Sequence, residues 1–579
     1  MNTHFMRKPA VLRLVVLSVV VLTAVRFLLR SNSKLPVPDP AVFWGHREIG
    51  GGAVLNEKQT PQKKEALVWA RQQTSQSQEP QKSQGGEAQD SPKKPKVTPR
   101  QDTNQTPLRV VHFDLKGAAP KLTYLEQVFP LLSSLGANGI LLEYEDMFPY
   151  EGDLQILRSP HAYSVEDIQK IRHLAELSKL EIIPLVQVFG HLEFALKHEK
   201  FSNLREVPGF PNSLNPHAPG SQPLVQAMLS QVLDCHPGLR WLHIGADEVF
   251  GLGQGLDSKN WLNSNNGDMG RMFLNHVREI VHFATERHPG LRLLMWDDMM
   301  RHISVDTLKA SSLTSFVSPM IWDYGADLQI NQIEKFISNY QAAGFEGVWF
   351  ASAFKGASGV AQDWTPLTQH MKNHLSWLKV MAVMPKYPSI HFQGIALTGW
   401  QRYDHFTVLC ELFPVGIPSL AVCLQSLAHG GFNEEAKKQV LHMLGCKNIN
   451  LEKSLCEGGG AFPGYEVYQM VLHIRENLKS QIHQQFDNQH LKGWFSRYHR
   501  KYKFGNPRNM EFFKDKMSKL LEEWEDYLQN FRTQMEAIYF ADTVEEWMEE
   551  NVNEHMDKLR ELAADFEQVI KSRGGQKPL

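Results

Sequence analysis

The 579-residue chain has no excess of charge of either sign: 61 basic residues meet 63 acidic ones, for a formal net charge of −2. With no bulk field to draw a polyanion or an acidic membrane, nucleic acid is not an expected partner. Cysteine is sparse as well. The five (Cys235, Cys410, Cys423, Cys446, Cys456) contain no C-x-x-C pair, which argues against a zinc ribbon and a disulfide scaffold, and the odd count leaves at least one free thiol. Neither H-x-H nor H-E-x-x-H spacing occurs to mark a metal site. No metal and no organic cofactor is expected.

Long apolar runs are almost absent too, and the exception lies at the N-terminus. Residues 14–25 are uncharged and apolar, but twelve helical residues reach only roughly 18 Å of the ~30 Å hydrocarbon core. Extended to 10–29 the segment is long enough, with Arg13 and Arg26 near its ends. Arg7 and Lys8 precede it, which favours a cytoplasmic tail over 1–9 and a type II signal-anchor helix, although Arg30 and Lys34 follow on the far side. The rival is a cleaved signal peptide, whose best site, Leu22-Thr23-Ala24, carries a bulky Leu where a small side chain is wanted. Residues 30–106 turn to Gln, Lys, Ser, Pro and Gly and cannot bury enough surface to offset their chain entropy, so they read as a disordered stem. The Asn104-Gln105-Thr106 sequon falls within it, an acceptor for a glycan if the stem is lumenal. The expected location is then a Golgi or other secretory-pathway lumen.

From 107 onward short apolar runs alternate with helix-period segments. Candidate strands cover 110–115, 139–143, 182–188, 241–244, 291–296, 317–322, 347–350 and 394–397, with amphipathic stretches such as 122–135, 164–180 and 272–287 between them. Eight strand-helix repeats predict a (β/α)₈ TIM barrel over 107–430, an α/β fold whose active site gathers at the C-terminal strand ends. Past Glu434, Met and Leu stripes at three- and four-residue steps predict a helical C-terminal domain over 431–579, packed on the barrel or on a second copy in a homodimer.

Polar and aromatic residues cluster at those strand ends: Asp114 and Lys116, then Glu143, Glu145 and Asp146, then Gln187, His191 and Glu193, then Asp247 and Glu248. Strands five to eight add Trp296-Asp297-Asp298, Trp322-Asp323-Tyr324, Ser352 with Lys355, and Trp400-Gln401-Arg402-Tyr403-Asp404. Carboxylates and aromatic rings around one rim fit a sugar site. The adjacent pair Asp247-Glu248 follows the apolar run 241–244, and neighbouring side chains on an extended backbone point opposite ways, so the two carboxylates can do different jobs on one substrate. An isolated acidic dipeptide is usually a helix cap. The other seven strand ends reverse that balance here.

His243-Ile-Gly-Ala-Asp-Glu248, with Phe189-Gly-His-Leu-Glu193, Trp296-Asp-Asp-Met299 and Gly399-Trp-Gln-Arg-Tyr-Asp-His405, resembles glycoside hydrolase family 20, the β-N-acetylhexosaminidases, and within it the hexosaminidase D group. The resemblance implies substrate-assisted hydrolysis of a terminal N-acetylhexosamine, either N-acetylgalactosamine or N-acetylglucosamine. It implies Glu248 as general acid and base and Asp247 as the partner of the acetamido N–H. His191 would order the acid, and Trp296, Trp322, Trp349 and Trp400 would wall in the acetamido group. Two places depart from the better-known members: Asp114 and Lys116 stand where an arginine follows strand one, and Tyr324 follows strand six where their acetamido-binding tyrosine lies near strand seven. Asp404 and Glu145 are the remaining candidates for sugar hydroxyls. The hexosaminidase D group also implies cytoplasm and nucleus as the alternative location. Two other readings stay open at this point: a barrel that binds carbohydrate without turnover, and a metal-dependent hydrolase using His112, His191 and His243 with Asp114 and Asp247.

Overall fold

A computed structural model describes residues 107–577. Eight parallel strands close a barrel: β1 (Leu108–Asp114), β2 (Gly139–Glu143), β3 (Glu181–Leu185), β4 (Trp241–His243), β5 (Arg292–Trp296), β6 (Val317–Trp322), β7 (Gly347–Lys355) and β8 (His391–Gly399). Each neighbours the next in sequence, and β8 pairs with β1 through Leu108↔Gly394 to Val111↔Leu397. All eight expected strands are present. Their continuous Val, Ile, Leu and Trp content follows from burial on both faces.

The crossovers are amphipathic helices such as Leu122–Ser134, Val165–Leu177 and Met269–Arg287. Ser164 starts the second with a reciprocal cap: its hydroxyl accepts the Asp167 N–H at 3.1 Å, and Asp167 Oδ2 accepts the Ser164 N–H at 2.8 Å. The barrel interior is filled by Val110, Leu141, Ile183, Trp241, Leu294, Met320, Trp349 and Ala396, so it is a packed core. The last crossover, Phe413–His429, starts with Pro414 in its first turn and stops at Gly430, whose φ of 67° suits the left-handed cap.

Beyond it the chain is mainly helical, as expected, with a 30-residue helix at Pro507–Glu536 and an 18-residue one at Glu554–Lys571 packed along it. The tail also bonds to the barrel: Lys121 N–H donates to Ile538 O at 2.6 Å, and Tyr539 Oη accepts the Phe413 N–H at 3.0 Å. One continuous apolar cluster runs from the barrel helices into this tail. Cys446 and Cys456 form a disulfide that closes a small two-stranded ribbon, and Cys235, Cys410 and Cys423 stay free.

The expected cytoplasmic tail, membrane helix over 10–29, stem and Asn104 sequon lie outside the described residues. Among the described residues no helix is long and apolar enough to cross a membrane. Crossing takes about 20 predominantly apolar residues, whereas the longest helix here buries one stripe and is charged around the rest.

Candidate active site at the C-terminal mouth of the barrel

Because all eight strands run the same way, their C-terminal ends share one rim. Just past β4 the backbone leaves extended geometry: Gly245, Ala246 and Glu248 have φ of 60°, 65° and 42°, and His191 past β3 has 49°. Each left-handed non-glycine costs of order 1–3 kcal/mol and persists only where its surroundings hold it. Those holds are visible. Ala246 N–H donates to Gln187 Oε1 at 3.1 Å, Gly245 N–H to His243 Nδ1 at 3.0 Å, and Glu248 N–H to Asp298 Oδ2 at 2.9 Å. Gly190 lies so close beneath that a Cβ on it would come 2.0 Å from Asp247 O.

The strained turn aims two carboxylates at one imidazole. His191 Nε2 sits 3.1 Å from Glu248 Oε2 and 3.6 Å from Asp247 Oδ2, while Asp247 Oδ1 accepts from Gln187 Nε2 at 3.0 Å. The side chains of Asp247 and Glu248 keep 10% and 17% of their surface open to the mouth. Burial pushes the Asp247 carboxyl up to about 6 against the pull of His191, with Glu248 and Glu143 adding to the rise. For His191 burial works the other way, yet Asp247, the bond to Glu248 and the nearby Glu193 hold its pKa well above the ordinary value. Burial together with the Asp247 charge raises Asp298 to about 7.

Aromatic rings stand around this trio. Trp296 and Trp400 have centroids 5.9 Å apart, Tyr324 lies 6.4 Å from Trp400 and stacks on Trp322 at 5.3 Å, and the Trp322 indole N–H donates to Asp298 Oδ1 at 3.3 Å. Burial holds the Tyr324 phenol neutral, far above its ordinary pKa, with Asp247 and Glu248 adding to that shift. Trp349 does not join them. It is the third residue of β7, fully buried in the barrel interior 5.3 Å from Trp241, and its indole N–H donates to Gln393. Sequence alone put it at a strand end because the run after Gly347 was expected to be short; β7 continues to Lys355.

Asp114 and Lys116 are buried and paired within the protein. Asp114 Oδ1 takes the Lys116 ammonium at 3.1 Å and Oδ2 takes the Gln401 N–H at 2.8 Å, so the carboxylate braces the loop after β8. Lys116, 2% exposed, also reaches Glu143 at 3.2 Å and Glu145 at 3.7 Å. His112 Nε2 meets the other Glu143 oxygen at 3.0 Å; burial opposes the charge on Glu143, but Lys116 and His112 hold it below the usual carboxylate range. Asp404 Oδ1 accepts the Phe406 N–H at 2.7 Å and caps its own turn. Glu145 is buried, 3.4 Å from His405 Nδ1, and burial pushes its pKa up.

The residues the sequence left without a role in sugar cleavage are Gln187, Glu143, His112, Asp298 and His405. Four of them sit within or just after predicted strands, which was their only signal. His112, His191 and His243 do not converge on one point: His112 faces Glu143, and His243 Nδ1 accepts from its own turn, with burial lowering its pKa to about 3. Among the described residues one group, Glu145, Asp146 and His405, brings three ligand atoms within 4.8 Å of one another. Lysines already face it, Lys116 at Glu145 and Lys197 2.7 Å from His405 Nε2.

A rim of this kind belongs to a sugar-cleaving barrel, and comparison with known proteins agrees. The profile of the glycosyl hydrolase family 20 catalytic domain matches residues 127–394. Hexosaminidase D of Homo sapiens is 45% identical over 463 residues, spanning 80% of this chain and 95% of that protein. Hexosaminidase D of Bos taurus is 53% identical over 342 residues, spanning 59% of this chain and 98% of that one. The chain belongs to glycosyl hydrolase family 20 and is a glycoside hydrolase. Among solved structures, a Flavobacterium johnsoniae chitobiase aligns at 15% identity and a TM-score of 0.43, covering 58% of this chain and 50% of that one. A β-N-acetylhexosaminidase from Bacteroides fragilis aligns at 15% identity and 0.42, covering 55% and 65%. The barrel assignment rests on the strand order itself. The match to relatives named Hexosaminidase D overturns the expectation of a single-pass type II protein with a lumenal catalytic domain.

Proposed function

We propose that the chain is an exo-acting, retaining β-N-acetylhexosaminidase that removes terminal non-reducing N-acetylgalactosamine or N-acetylglucosamine from glycoconjugates by substrate-assisted catalysis. The observation that carries this reading is the pair Asp247-Glu248 bridged by His191 in a tryptophan-lined barrel mouth. The catalytic unit is 107–430, braced by the helices of 431–579.

In the first step the sugar's acetamido oxygen attacks the anomeric carbon as the bond to the leaving oxygen breaks, and Glu248 gives that oxygen its proton. The product is an oxazolinium ion, so the protein supplies no nucleophile. In the second step water adds to the same face of the carbon and Glu248 takes its proton, which restores the acid and retains configuration. Asp247 accepts the acetamido N–H and offsets the positive charge as the ring closes; its second oxygen is already fixed by Gln187. His191 orients Glu248 through the 3.1 Å contact of Nε2 with Oε2. Trp296, Trp322 and Trp400 hold the acetamido group in a near-attack pose and exclude competing water. Tyr324, kept neutral, is a donor for the acetamido oxygen, and Glu145 and Asp404 are the candidates for ring hydroxyls. The apolar stripe of the long helix is buried within the chain.

The test is turnover of an aryl β-N-acetylhexosaminide. Glu248→Gln should abolish it, and Asp247→Asn should cut it for substrates bearing the acetamido group while sparing glycosides that lack it. Hydrolysis by Glu248→Gln at the parental rate would remove the acid assignment.

A further inference from the structure

The near-zero net charge hides a strongly asymmetric stretch. Residues 488–510 hold six Lys or Arg and five aromatic residues, with no Asp or Glu. They fold into two short helices, Gln489–Trp494 and Arg497–Tyr502, and the start of Pro507–Glu536. Between the short helices and Glu554–Lys571 lies a groove of about 770 Å³. Its floor is apolar, built from Phe486, Leu491, Phe495 and Leu562, and its rim carries five cations, Lys492, Arg497, Arg500, Lys501 and Lys503, against two carboxylates, Glu561 and Asp565.

Some of that charge is answered inside the chain. Asp565 pairs with Lys503 and, at 2.7 Å, with Arg500, and Lys492 reaches Asp487 at 2.8 Å. Arg497 and Lys501 are exposed and make no ion pair among the described residues. Three rings stand open beside them: Trp494 is 50% exposed, Tyr498 43% and Tyr502 40%. Tyr498 and Tyr502 lie one turn apart with centroids at 4.9 Å, and the Lys501 ammonium sits 5.2 Å over the Tyr502 ring.

We propose that this groove on the C-terminal helices binds an anionic glycan chain of the sulfated, N-acetylhexosamine-containing class, at a site separate from the barrel mouth. Three features select that ligand. Surplus guanidinium and ammonium groups recognise oxyanions, the guanidinium by a planar fork. The half-open faces of Trp494, Tyr498 and Tyr502 lie outside the groove's lining, beside its cations in the chain, and offer stacking surfaces to sugar rings of a chain that runs past the groove. The groove's own apolar side chains are recessed, whereas bilayer docking pushes apolar side chains outward into the headgroup boundary; the open Trp494, Tyr498, Tyr502 and Phe512 are the reason vesicles serve as the second probe. The choice of a glycan over other polyanions rests on the glycosidase reading above; the binding itself does not.

The experiment uses the full chain over immobilised chondroitin sulfate at low and physiological salt, with vesicles of phosphatidylserine and phosphatidylcholine as the second probe. Saturable binding to chondroitin sulfate is expected, weakening with salt. Arg497→Glu combined with Lys501→Glu should lower the affinity by about tenfold or more, with unchanged melting temperature and unchanged aryl hexosaminide hydrolysis. Trp494→Ala should weaken binding without altering its salt dependence, as loss of a stacking surface requires. Equal affinity in the charge-reversed variant, or vesicle binding that matches and competes with the glycan, overturns the proposal. Absence of aryl hexosaminide hydrolysis in the parent would instead remove the glycosidase reading and leave glycan binding standing.

Discussion

The backbone N–H of Glu248 donates to Asp298 Oδ2 across 2.9 Å, so a carboxylate after β5 fixes the peptide that carries the candidate acid. The other Asp298 oxygen holds the Trp322 indole. Asp298 is therefore a positioning residue, and Asp298→Ala should lower kcat by roughly 10–100-fold with little change in KM, because misplacement of an oriented group is felt in the transition state. Loss of two hydrogen bonds should also cost about 1–3 kcal/mol of stability. Steady-state kinetics and a thermal melt on the same sample check both.

Gly190 is required by closeness rather than by conformation. A methyl group there meets Asp247 O at 2.0 Å and the Glu248 carbonyl at 3.1 Å, so Gly190→Ala must displace the very turn that presents both carboxylates. Hydrolysis should fall about 100-fold even where the variant folds, since a misplacement of about 1 Å can cost that much, and overpacking should cost about 1–3 kcal/mol of stability as well. Circular dichroism beside the activity assay separates displacement from unfolding.

The pH profile has a defined sign. Asp247 works as a carboxylate and its pKa is raised to about 6 in the free protein, so kcat/KM should drop as pH falls through about 6. The amide of Gln187 opposes that rise by donating to Oδ1. Gln187→Leu removes the donor and should move the acid limb upward by about half a unit to one unit. A limb that stays in place would detach it from Asp247.

The tryptophans should separate cleanly. Trp349→Ala leaves a cavity in the barrel interior and should cost about 3–5 kcal/mol of stability. Trp400→Ala opens the mouth and should chiefly reduce kcat/KM, by about 10–100-fold, with a smaller change in melting temperature. Melting curves and kinetics for the two variants give opposite rankings if this placement holds.

Much of this was legible in the chain. Short apolar runs located all eight strands, and because parallel strands share one rim, their final residues point to the mouth. Trp349 was misplaced because burial on both faces of a barrel strand makes its interior and its end read alike. Asp114 and Lys116 were assigned to the substrate because sequence shows which groups are near a strand end and not which oxygen faces which proton. In the folded chain Asp114 spends both oxygens on Lys116 and the Gln401 peptide. Likewise the basic run at 488–510 vanished into a balanced total.

Arg402, in the loop after β8, places two guanidinium nitrogens 2.5 Å from the two carboxylate oxygens of Glu546 in the helical tail, while its Nε donates to Lys116 O at 3.0 Å. A chain cut after the barrel would strand that cation against the Asp114–Lys116 brace and slacken the segment bearing Trp400. The tail thus braces the loop that carries Trp400, and shortening it from the C-terminus should lower hydrolysis.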